Sequence, residues 1–109
     1  MDERDKSMIK EFRRRLPEEL QKQVTKLIFY GSRARGGATA DSDLDLVAVV
    51  TQRTPQVEKA LEDIAYDVMW QFDFRPTISL KVFSESQFQG AIDKGFSFYR
   101  HVLEEGLPV

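Results

Sequence analysis

The chain has no cysteine and a single histidine, His101, among 109 residues. The first absence excludes a disulfide framework, a thiolate zinc site and a cysteine nucleophile; the second excludes a centre built from several imidazoles. No charge of one sign dominates, because 16 Lys and Arg stand against 18 Asp and Glu for a formal net charge of −2. That balance argues against a protein that coats nucleic acid or an anionic membrane with positive charge. Long apolar runs are missing too. The longest aliphatic stretch, Leu46 to Val50, falls far short of the ~20 residues a bilayer demands. The charged opening Met1-Asp2-Glu3-Arg4-Asp5-Lys6 lacks the apolar stretch of a secretory signal, so a cytoplasmic location without membrane attachment is expected. What is present, 41% hydrophobic and 31% charged residues with twelve aromatics, suits one globular domain over residues 1–109. Its chemistry must come from carboxylates, hydroxyls, Arg, Lys and backbone.

Hydrophobic periodicity divides the chain. Ile9, Phe12, Leu16, Leu20, Val24 and Leu27 recur every three or four residues, predicting an amphipathic helix that Pro17 kinks or splits. Lys26–Tyr30 reads as a short buried strand stopped by Gly31, and residues 31–42 as a loop holding one helical turn. Asp43-Leu44-Asp45-Leu46 alternates and runs into Val47–Val50, a strand with a polar start and a buried end. Thr54-Pro55 is a helix start, and Val57, Ala60, Leu61, Ile64, Ala65, Val68 and Met69 keep helical spacing without a miss. Thr77–Phe83 is a third strand. Ser84-Glu85-Ser86-Gln87 fits a capping box, and a last helix from Phe96 to Glu105 ends at Gly106. The expected class is α/β or α+β, on a sheet of three or four strands.

Asp43 and Asp45, two apart in a strand, face the same side with Cα atoms roughly 6–7 Å apart. Alone, the pair reads as a solvated strand start. Converging carboxylates repel unless a cation lies between them, and hard oxygens without imidazole or thiolate suit Mg²⁺. Upstream, with ten residues (33–42) separating Ser32 from Asp43, Gly31 allows close backbone approach to a phosphate. Ser32 heads a helical turn with its hydroxyl and free N–H groups, and Arg33 and Arg35 can neutralise phosphate charge. Phosphate-binding groups beside metal-binding carboxylates are what nucleotide–Mg²⁺ chemistry requires.

Gly31-Ser32-Arg33-Ala34-Arg35-Gly36, a loop, and Asp43-Leu44-Asp45-Leu46 after an apolar strand resemble the minimal nucleotidyltransferases of the polymerase-beta-like superfamily. The likeness extends to the flanking helices and to the ending Phe98–Leu107. It implies that fold, with a mixed sheet flanked by helices, and transfer of AMP from ATP to a hydroxyl. Gly31, Ser32, Arg33 and Arg35 would bind the nucleotide, and Asp43 and Asp45 would hold Mg²⁺ and carry catalysis. The family pattern has a third carboxylate on the next strand, where this chain has Ser79 and Lys81. Small members are antitoxins that modify a HEPN-type ribonuclease toxin, so a protein partner or a second copy of the chain is expected to complete the acceptor surface. The competing expectation is a catalytically degenerate module that neutralises its partner by binding alone. Arg13-Arg14-Arg15 reads as solvated helix surface, and Trp70, Phe72 and Phe74 as packing at the end of the long helix.

Overall fold

A computed structural model describes residues 2–37 and 39–109. Among the described residues the elements run α1 (Glu3–Arg14), α2 (Glu18–Gln23), β1 (Val24–Tyr30), α3 (Ser32–Arg35), β2 (Leu44–Val50), α4 (Pro55–Gln71), β3 (Ile78–Ser84), α5 (Glu85–Asp93), α6 (Ser97–Glu105) and β4 (Leu107–Pro108). The sheet order is β3-β2-β1-β4. β1 is antiparallel to β2 and β4, whereas β2 and β3 are parallel, so the sheet is mixed and the domain α+β. A parallel pair needs a long crossover, and α4 provides it.

Local chemistry accounts for most boundaries. Asp2 caps α1 by accepting a hydrogen bond from the Arg4 N–H, and Thr54 caps α4 by accepting one from Val57. Ser84 accepts from the Gln87 N–H, the expected cap of α5. Pro17 stands between α1 and α2 and splits the predicted first helix. Val24 and Leu27, which also fit the helical stripe, belong to β1. The β4 ribbon was not expected; Leu107 and Pro108 pair with Phe29 and Ile28, closing the outer edge of β1.

The two faces of the sheet bury different sets. Leu27, Phe29, Leu44, Leu46, Ala48, Val50, Ile78 and Val82 pack against Met8 and Phe12 of α1 and Leu61 and Val68 of α4 in the main core. Each fully buried side chain of this size contributes roughly 1.5–3 kcal/mol by leaving water. On the other face Ile28, Val47 and Val49 lie under Phe88 of α5 and Val102 of α6, with Phe83 and Tyr99 beside them. Among the described residues no helix is long and apolar enough to cross a membrane.

Candidate active site

The second face is only partly roofed. Residues of β2 alternate, so Leu44 and Leu46 enter the main core while Asp45 shares the opposite side with Val47 and Val49. Val47 and Val49 are covered by α5 and α6; Asp45, one step nearer the start of the strand, is half-buried, and Asp43, just before the strand, is exposed. The aspartates therefore stand where apolar cover gives way to solvent. Tyr30 is opposite Asp45 on β1, and Ser79 is beside it on β3. Because Ile78, Leu80 and Val82 pack into the main core, Ser79 and Lys81 face the aspartate side.

Burial pushes the Asp45 carboxyl above its usual range, the nearby Lys81 ammonium opposes that, and the negative charge of Asp43 adds to it. Burial likewise raises the Tyr30 hydroxyl, and the Lys81 charge counters the shift. Two like charges on one rim of a sheet, one partly dehydrated, form a site whose electrostatics improve when a cation binds.

Gly31 ends β1 at φ 83° and leads into α3. A Cβ at this position would overlap Oδ2 of Asp45 and lie 3.2 Å from its Cγ. The backbone thus passes the carboxylate at a distance only glycine permits, in a conformation glycine adopts without strain. The next turn runs from Ser32 to Arg35, and Gly36 at φ 81° ends it. As at any helix start, its first N–H groups lack partners within the turn. Gly31, Ser32, Asp43 and Asp45 are therefore gathered along one end of β1 and β2.

The two arginines separate. Arg35 is exposed and lines a cavity of about 220 Å³ with Tyr30, Gly31, Phe98 and His101. Arg33, expected to face phosphate, instead turns inward: its Nε donates to Asp5 Oδ1 and Oδ2 at 3.1 and 3.0 Å, and its Nη1 to the carbonyls of Thr39 and Ser42 at 3.1 and 3.0 Å. The reason is Asp5, the one charged residue buried among those described, which needs a cation beside it. Arg33 pins the loop to α1 and sets the approach to Asp43. Sequence reasoning missed Asp5, because an acidic residue in a first helical turn normally serves the helix dipole in solvent. It also gave Tyr30 no role beyond its strand.

The donor set fits Mg²⁺: two hard carboxylates converge at an open rim, and waters and phosphate oxygens would complete octahedral coordination. Among the described residues no group of three or more His, Cys, Asp or Glu side chains stands ready to hold a metal.

A mixed sheet with a glycine-led turn passing the aspartate at the start of β2 defines an α+β domain. Residues 9–105 match the nucleotidyltransferase domain family, and the chain belongs to that family. A relative named "Putative protein adenylyltransferase", from Methanocaldococcus jannaschii, is 32% identical over 102 residues, covering 94% of each chain. The crystal structure of a "putative nucleotidyltransferase" from Sulfolobus solfataricus aligns with 99% of this chain and 86% of its own, at a TM-score of 0.45 and 18% identity.

Proposed function

We propose that this domain transfers AMP from ATP to a hydroxyl of a partner protein in a Mg²⁺-dependent reaction. The observation that carries the reading is the close approach of the Gly31 backbone to the Asp45 carboxylate; in this reading the first meets phosphate and the second the metal. Membership of the nucleotidyltransferase family supports the reaction class, and the name of the M. jannaschii relative supports a protein acceptor. Asp43 and Asp45 would hold the Mg²⁺, which when bound neutralises triphosphate charge and polarises the reacting phosphorus. Gly31 and Ser32 receive the triphosphate, and Arg35 meets its charge from the solvent side. Arg33 acts indirectly by fixing the loop. The acceptor hydroxyl attacks the α-phosphorus in line; the new O–P bond forms as the α–β bridging bond breaks, pyrophosphate leaves, and the acceptor proton passes to solvent. We further propose a cytoplasmic antitoxin whose acceptor is a HEPN-type toxin.

Lys81, a cation on the aspartate face, favours a second reading in which the domain has lost catalysis and neutralises its partner by masking. Calorimetric titration of ATP with and without Mg²⁺, repeated on the Asp43→Asn, Asp45→Asn double variant, separates the two. Binding that requires Mg²⁺ and both aspartates supports the enzyme, with labelled AMP on the partner as the decisive product. A double variant that still neutralises the partner supports masking.

A further inference from the structure

The rim that carries Asp43 and Asp45 holds a positive charge of its own. The parallel register sets Ser79 beside Asp45 and Lys81 beside Val47, one pleat deeper on the same face. From there the Lys81 ammonium acts electrostatically on both the Tyr30 hydroxyl and the Asp45 carboxylate. Tyr30 is itself the cross-strand partner of Asp45, so Tyr30, Asp45 and Lys81 take neighbouring positions on one face of three adjacent strands. Packing fixes this arrangement: the flanking Leu80 and Val82 are anchored in the main core, and neighbouring Phe83 lies in the cluster under α5 and α6. Lys81 is exposed, on the face of the sheet that Asp45 shares.

We propose that Lys81 is a built-in cation of this site, standing where a second divalent ion would otherwise sit, so that the donor site takes a single divalent cation per chain. The inference rests on the donor-site reading above. Two carboxylates supply two negative charges; Lys81 offsets one permanently, and one divalent ion reverses the sign of the remainder, leaving the site attractive to a triphosphate. A second divalent ion would find no further carboxylate among the described residues and would face the ammonium at close range. Lys81 also differs from a metal in that it cannot dissociate. It keeps Asp45 oriented before any nucleotide arrives, which makes it a positioning residue for the Asp45 carboxylate and, with donor bound, a fixed charge beside the phosphates.

The test counts ions. Mn²⁺ is titrated into the full chain with α,β-methylene-ATP, which cannot transfer AMP, and protein-bound Mn²⁺ is read by electron paramagnetic resonance. The wild-type chain is expected to hold one ion, and Lys81→Asp two, with Mn–Mn spin coupling appearing only in the variant. Ser79→Asp, which adds a carboxylate but keeps the ammonium, is expected to stay at one. Lys81→Glu serves if Lys81→Asp fails to fold, as judged by circular dichroism. Two ions in the wild type, two in Ser79→Asp, or one in folded Lys81→Asp and Lys81→Glu overturns the role given to Lys81 while leaving the donor site intact. No Mn²⁺ and no nucleotide on the wild-type chain overturns the donor site and this inference together.

Discussion

Asp5 and Arg33 form an ion pair at 3.0 Å with side chains only 2% and 11% exposed, joining the first turn of α1 to the turn after β1. Removing one partner strands the other charge in a low-dielectric setting, at about 3–5 kcal/mol. Asp5→Asn is therefore expected to lower the urea midpoint markedly and to weaken ATP binding, although Asp5 is on another element from the aspartates. Urea unfolding alongside calorimetry checks both. Unchanged stability would remove Arg33 from its structural role.

Gly31→Ala places a methyl group against Asp45 Oδ2 and forces an L-residue to φ 83°. Backbone strain of this kind costs on the order of 1–3 kcal/mol. The loss of Mg²⁺-ATP affinity should exceed tenfold, because the carboxylate must move. Gly37→Ala is the control: nothing lies within 4 Å of a Cβ there, and binding should persist.

The arginines should answer oppositely to truncation. Arg33→Ala is expected to behave like Asp5→Asn, losing stability first. Arg35→Ala, at an exposed position beside Gly31, should leave the melting temperature nearly unchanged and weaken triphosphate binding about fivefold, near 1 kcal/mol. Raising the salt concentration should narrow the Arg35 difference.

Glu11 supplies a pH signature. Hydrogen bonds from Arg14 and Arg15 hold its carboxyl down at about 2, against an ordinary value of 4.5. A group depressed in the folded state contributes stability that is fully present above its unfolded value and lost as pH falls toward its folded one. The stability difference between wild type and Glu11→Gln should be constant above about pH 4.5 and vanish near pH 2, as urea titrations across that window would show.

What could be read in advance was whatever local pattern controls. The unbroken spacing from Val57 to Met69 and its Thr54 cap gave α4, which starts at Pro55 and runs on two residues to Gln71, and the alternation from Asp43 to Leu46 gave a strand with a polar start and a buried end. Val24 and Leu27 were ambiguous because an apolar residue at helical spacing serves equally in a strand; pairing with β2 decided it. Two residues, Leu107 and Pro108, are too few to show any period, so β4 exists only through its partner. The inward turn of Arg33 depended on Asp5, 28 positions away, and no local spacing encodes such a pair. Gly31 and the aspartates stood out because backbone freedom and charge are properties of the residues themselves.

One strand, β2, feeds both the main core and the aspartate rim, by turns, along seven residues. Sliding it by a single position against β1 or β3 would drive Asp45 into the oily interior and expel Leu44 and Leu46 into water. The protein therefore has no inexpensive misaligned form in which the sheet survives and the site does not. Any chain that completes this sheet has, in the same step, aimed its carboxylates, and no separate folding event is required to assemble them.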